Sequence, residues 1–300
     1  MKLKFNPFQL ITLSFFFSLL MLASCQKENS QTSSEDEQEV TASQVSSEAD
    51  AEAELVFNGV FDDAIGVNDE VGIGGTGVFG RLNVCPEVTI VRLNPPDAFP
   101  VRVILDFGNV GCTGPDGHFR KGKVITTYTG RLLAPGATAT TIFDGFYVDS
   151  VKVEGTHKIT NSSPAIAIVP PPRQFTVDVI DGKLTKPSGN YVHWNSHKVI
   201  NQIEGLATPN LPIDDIFKID GNSRGQVKRG NLLVGWESNI TESLYKRFNC
   251  RWISKGRIRT VRINTPSNTP WVAVLDFGAG TCDNKATLTI NGRTIQITLP

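Results

Sequence analysis

Polar and apolar residues change places along most of this chain at every second position. From residue 85 onward the alternation comes in short runs with Gly, Pro and Asn between them, the period of a half-buried β-strand. Residues 287–290 and 294–299 alternate on either side of Asn291-Gly292, a pair suited to a two-residue type I′ turn, and predict a β-hairpin. Residues 175–180 and 183–184 repeat that logic around Asp181-Gly182. Residues 191–203 read as one long strand closed by Gly205, and Phe146 and Tyr147 lead into further strand at 151–153 and Ile159. Only 48–65 departs from the pattern, with Leu55, Val56, Val60, Phe61, Ala64 and Ile65 close to helical spacing. So many short, punctuated strands predict an all-β body of antiparallel sheets, sandwich-like, with one short N-terminal helix.

The alternation is also duplicated. A shift of 170 residues lays 88–125 on 258–295 without a gap, and twelve of the 38 positions are identical, against roughly two expected by chance. The identities include Val91/Val261, Arg92/Arg262, Leu105/Leu275, Asp106/Asp276, Phe107/Phe277, Gly108/Gly278 and Cys112/Cys282. Each copy reads as a hairpin, 88–92 turning through 94–100 into 101–107 in the first and 258–263 through 264–270 into 271–277 in the second. A third strand follows in each. The full repeats lie at 85–125 and 250–295 of a body spanning 85–300.

The leader changes where this body is expected to reside. Lys2 and Lys4 precede an uncharged run rich in Phe and Leu, which Asn6, Gln9, Thr12 and Ser14 keep short of a membrane span. It ends in Leu22-Ala23-Ser24-Cys25, after which the chain turns abruptly polar. This resembles the bacterial lipobox, so 1–24 is read as a lipoprotein signal peptide and Cys25 as the lipidated residue. Residues 26–54 carry nine acids against Lys27 alone. The segment 25–47 is therefore expected to be a solvated tether, followed by a helix and Gly-rich loop over 48–84. Glu35-Asp36-Glu37 resembles the surface-export signal of Bacteroidota lipoproteins. After residue 54 there are 26 basic and 21 acidic residues, a net of +5, too small a surplus for a nucleic-acid binder. With Cys25 acylated, Cys85, Cys112, Cys250 and Cys282 remain. Their even number and the absence of C-x₂-C pairs favour two disulfides over a zinc site. The repeat selects Cys85–Cys112 and Cys250–Cys282, each clipping the open end of its own hairpin.

The duplicated Leu-Asp-Phe-Gly…Cys signature, with Arg120-Lys121-Gly122-Lys123 after the first copy and Cys282-Asp283-Asn284 in the second, resembles a group of uncharacterised Bacteroidota cell-envelope lipoproteins. The resemblance implies lineage, an outer-membrane, lipid-anchored location facing the periplasm or the cell surface, and fold class. It implies no chemistry.

Candidate chemistry is sparse. Asp106-Phe107-Gly108 and its copy lack the lysine strand and the His-Arg-Asp loop of a kinase, so Phe is expected in the core, Gly at a strand end and Asp on loop amides. No Gly-x-Ser-x-Gly elbow marks a nucleophile, and no cofactor or metal set is evident. Residues Tyr191, His193 and Trp194, and separately Arg257 and Arg259, are candidate ligand-binding positions. Trp194, Trp236, Trp252 and Trp271 are stacking candidates for a sugar. The expected function is a lipid-anchored envelope protein with a binding or structural role and no catalysis, its partners the membrane and a glycan or envelope protein. A polysaccharide-binding module is one alternative. A hydrolase whose residues, such as His157 or His193, converge only in three dimensions is the other. Lipidation predicts that Cys25→Ala moves the protein from the membrane to the soluble fraction on cell fractionation; unchanged partitioning would refute it.

Overall fold

Residues 27–66, 85–114, 117–164, 173–208, 212–263 and 271–299 are described by the structure, a computed structural model. One helix, α1 (Lys27–Gly66), precedes β1 (Glu87–Arg92), β2 (Val101–Asp106), β3 (Cys112–Thr113), β4 (Phe119–Tyr128), β5 (Thr138–Val148), β6 (Val151–Asn161) and β7 (Arg173–Thr185). Then follow β8 (Tyr191–Glu204), β9 (Ile216–Arg229), β10 (Leu232–Arg247), β11 (Lys255–Ile263), β12 (Val272–Ala279), β13 (Lys285–Ile290) and β14 (Arg293–Thr298). The strands form one antiparallel sheet in chain order, with only the two-residue β3 off the path. The fold is thus all-β with one helix, as the alternation predicts. Both expected disulfides, Cys85–Cys112 and Cys250–Cys282, are formed.

The helix differs from the expectation. It starts well before residue 48, and Ala42, Ser43, Val45, Ser46 and Ser47, placed by composition in the tether, are buried. The segment 42–66 belongs to one compact unit with the sheet, separate from the unit that ends at Thr41. It is buried on all sides, because the sheet curls around it. Phe57 packs on Phe143 of β5, His157 of β6 and Trp194 of β8, while Phe61 meets Phe175 of β7 and Phe217 of β9 edge-on. Tyr128 of β4 donates to the Ala64 carbonyl at 2.8 Å. On the far side Ala51, Glu54, Leu55 and Asn58 face Ile253, Phe277 of β12 and Leu299. Alternate residues of each strand point at the helix, and the others face out.

Polar contacts fix how the helix sits. The Asp50 carboxylate, fully enclosed, accepts from Trp194 Nε1 at 2.7 Å, Ser223 Oγ at 2.8 Å and Trp236 Nε1 at 3.1 Å, all on Oδ1. Lys198 pairs with Glu54 at 3.0 Å and Lys246 with Asp62 at 2.5 Å, all four side chains buried. Burial pushes the Asp62 carboxyl up, and the Lys246 ammonium pulls it back only in part. Nearer the rim, Lys186 pairs with Glu52 and Arg229 with Glu48. Buried pairs of this kind are poor evidence of net stability; what they do is make any other rotation of the helix leave charges unmatched.

The curvature has a local cause. Breaks in register fall at Lys121/Lys123, Glu154/Thr156, Val179/Gly182, Asn239/Leu244 and Lys255/Arg257, bulges that bend the bulged strand and tighten its twist. Gly122 and Gly221 lie at two of them with φ of 85° and 136°, and a Cβ there would collide with the carbonyls of Gly145 and His197. Asp181-Gly182, expected to turn a hairpin, is instead a bulge inside β7. Asn291-Gly292 does turn β13 into β14, with both residues at positive φ.

The repeat is structural through its hairpin and no further. Val88↔Leu105 to Val91↔Arg102 in β1–β2 match Ile258↔Leu275 to Val261↔Val272 in β11–β12. Asp106 and Asp276 each accept the N–H of the glycine two residues on, at 2.9 and 2.8 Å, while Phe107 and Phe277 are buried. Beyond that point Ile125 lies in β4 but Ile295, its match in sequence, lies in β14.

Removing the Asp50 carboxylate strands three donors in a dry interior. Asp50→Ala is expected to lower stability by about 3 kcal/mol, roughly 1–3 kcal/mol per unsatisfied group less the desolvation relieved. Asp50→Asn, which keeps an acceptor, should lose less. Urea unfolding followed by tryptophan fluorescence measures both; equal losses would show that the carboxylate's acceptor role is not what matters.

Candidate functional site on the outer face of the sheet

Three adjacent strands carry the same local text: Asn195-Ser196-His197 in β8, Asn222-Ser223-Arg224 in β9 and Glu237-Ser238-Asn239 in β10. Antiparallel pairing sets them in register. Asn195 lies across from Arg224 and that from Glu237; Ser196 from Ser223 and Ser238; His197 from Asn222 and Asn239. The serines point inward, where Ser223 bonds Asp50 and Ser238 bonds Thr260 of β11 at 2.8 Å. Their flanking residues all point outward. Together the nine line an open groove of about 410 Å³.

Two side chains in this groove are held from outside it. His197 Nδ1 bonds Asp178 Oδ1 at 2.7 Å, and Asn195 accepts the Asp181 N–H at 2.9 Å. Asn222, Arg224, Glu237 and Asn239 have no side-chain hydrogen bond or ion pair among the described residues. Arg224 and Glu237 face each other across the ladder without pairing. Arg259, in register with Asn239, extends the row onto β11. The groove therefore presents amide, guanidinium, carboxylate and imidazole groups at strand spacing, a set that bonds vicinal hydroxyls and other small polar groups.

The residues singled out from the sequence are divided by the pleat. Tyr191 and His193 do share the outer face, with ring centroids 4.9 Å apart, beside the groove. Partial burial, with Lys183 nearby, lowers the His193 pKa. Trp194, expected with them, points the other way and is 2% exposed, because consecutive strand residues face opposite sides. Trp236 is buried likewise, so neither can stack on a ligand; Trp252 and Trp271 are half-buried. Arg257 and Arg259 are exposed on β11, but Arg257 is tied to Asp276 at 2.7 Å and Glu242 at 3.5 Å. Cys25 lies outside the described residues. Among those described, no three His, Cys, Asp or Glu side chains could hold a metal ion, and no helix is long and apolar enough to cross a membrane. The groove itself has a signal in the sequence, the polar-Ser-polar triplet written three times, but only strand register shows that the three copies meet.

His157 does not join this face. It is sealed inside against Phe57, its ring nitrogens without partners among the described residues, and burial drives its pKa down to about 3. Asp215, buried beside the β8–β9 connection and bonded by Gln202 at 2.6 Å, is pushed up by burial to about 7 despite Arg173 nearby.

Compared with family models, with curated proteins and with solved structures, the chain matches none.

The two buried groups give opposite pH dependences. Between its folded value of about 3 and the ordinary 6.5, His157 is protonated only in the unfolded chain, so stability falls on acidification through that window. The loss is about 1.4 kcal/mol per pH unit at most. Asp215, raised from 3.8 to about 7, is protonated only in the fold between those values, so its contribution falls as pH rises. His157→Leu is expected to remove the acid-side loss: relative to the parent, its urea midpoint should improve between pH 7 and about pH 4. Midpoints that fall in parallel would assign the acid sensitivity elsewhere.

Proposed function

We propose that this protein is a lipid-anchored cell-envelope protein that binds a polar ligand on the outer face of its sheet. The observation that carries the binding role is the registered groove of β8–β10, whose outward Asn222, Arg224, Glu237 and Asn239 engage no other described side chain. The interior is filled by α1, so the outer face is where a ligand finds room. The lipobox at Cys25 supports the anchor, and two disulfides suit an oxidising compartment.

A polysaccharide is the ligand class this chemistry favours, since amides flanked by a guanidinium and a carboxylate match paired hydroxyls. A hydrolase is less well supported: Ser196, Ser223 and Ser238 lie on the other side of the sheet from His197, and the His157 ring nitrogens bond no hydroxyl among the described residues.

Polysaccharide pull-down and a glycan array with the secreted chain carrying Cys25→Ala test the reading. Binding should fall at least tenfold in Asn222→Ala/Asn239→Ala and in Arg224→Ala, with the fold retained. Binding that survives all of these would move the site off the groove, and no glycan binding at all would turn the search to envelope proteins.

A further inference from the structure

Rows of side chains cross the outer face at right angles to the strands. One starts at Asp178 of β7 and passes through His197, Asn222 and Asn239 to Arg259 of β11, each residue directly across the ladder from the next. Neighbouring strands stand about 4.8 Å apart, close to the advance of one sugar in an extended polysaccharide. A glycan lying along this row would therefore offer one sugar to each strand.

Arg259, at the end of the row, differs from the cations around it. Lys255, Arg257 and Arg259 alternate along the exposed face of β11. The Lys255 ammonium stands 5.3 Å over the Tyr245 ring, and Arg257 is paired with Asp276 and Glu242. Arg259 has no ion pair or side-chain hydrogen bond among the described residues. Across the ladder it meets Asn239 on one side and the half-buried Val274 on the other. Arg224, Arg257 and Lys158 are exposed on the same face, and each lies across from a carboxylate, those of Glu237, Asp276 and Asp178. Opposite charges facing each other across a ladder satisfy one another in part. The Arg259 charge faces none, and its guanidinium is a two-pronged donor suited to a planar carboxylate.

Resting on the reading of the groove as a glycan site, we propose that its ligand is an acidic polysaccharide that runs across the strands, with Arg259 holding a uronate carboxylate and the neighbouring sugars lying on Asn239 and Asn222. The two amides both donate and accept, as sugar hydroxyls require. Glu237, one row away and unpaired, repels a further carboxylate in the middle of the groove. Uronates separated by neutral sugars therefore fit the site better than a carboxylate on every sugar. Arg259 stands just outside the nine groove-lining residues, so it selects the charge of the ligand and the groove itself supplies the contacts to the sugars.

The test is affinity electrophoresis of the secreted chain carrying Cys25→Ala through gels that hold hyaluronan, which has a uronate on every second sugar, or alginate. The same polymers after chemical reduction of their carboxyl groups are the comparison. Hyaluronan is expected to bind at least tenfold more tightly than its reduced form, with the difference narrowing as salt is raised. Arg259→Gln should bring the acidic polymer down to the level of the reduced one, and Arg259→Lys should restore part of the difference. Lys228, exposed across from Tyr191 and Leu233 and beyond the groove, is the control; Lys228→Gln should change little. Circular dichroism and the emission of the enclosed tryptophans check that each variant folds. Equal binding of acidic and reduced polymers overturns the proposal and leaves the groove a site for neutral glycans. A preference that survives Arg259→Gln, or that falls as far with Lys228→Gln, overturns it in favour of general surface charge. Retention by no polymer overturns it as well: a glycan array that still shows a neutral ligand keeps the groove reading, and an empty array ends both.

Discussion

A carboxylate enclosed in protein is tolerable only where donors converge on it, and the convergence on Asp50 governs this molecule. Two indole N–H groups and a hydroxyl from β8, β9 and β10 meet on one oxygen. That fixes the helix along its axis and in rotation, and it fixes the middle of the sheet to the helix. Pairing of Lys198 with Glu54 and Lys246 with Asp62 extends the same constraint toward the C-terminal end of α1. Apolar packing through Phe57 and Phe61 supplies the burial, which is non-directional; the charges say which side of the helix faces which strand.

The strands were legible because a sheet with one face on a core and one in water imposes a period of two on the sequence, and Asn291-Gly292 marks its turn with the residues that positive φ requires. The disulfides were legible because the hairpin is duplicated. The helix was not. Its first buried turns are built from Ala42, Ser43, Val45, Ser46, Ser47, Ala49 and Asp50, and a composition argument assigns such residues to water. That argument assumes an apolar interior, whereas this one offers lysines, tryptophan N–H groups and serines. Asp181-Gly182 misled for a related reason: a bulge and a tight turn ask for the same residues. Tyr191 and His193 were placed on one surface correctly, and Trp194 was not, although alternation alone assigns it to the opposite face.

The central serines tie the two faces of the sheet together. Small residues at 196, 223 and 238 let the helix come close enough for Asp50 to reach its donors. Their neighbours on the same strands, one residue to either side, make the outer groove. A substitution at Ser223 chosen to probe the groove would therefore also disturb the anchorage of α1, and changes at Asn222 or Arg224 separate the two roles.

The helix precedes in the chain every strand that encloses it. Its partners Ser223, Trp236 and Lys246 lie 173 to 186 residues downstream. During synthesis or export Asp50 therefore waits through most of the chain for the donors on β8, β9 and β10 that enclose it. An apolar stretch there would be a sticky end, whereas 42–54, made largely of Ser, Ala, Asp and Glu, stays soluble until β10 arrives; the apolar Phe57 and Phe61 meet β5 and β7 earlier. Closure then depends on contacts between distant parts of the chain, the circumstance in which folding is slow. The polar character of these first buried turns is thus suited to the order in which the chain appears as well as to the interior they finally occupy.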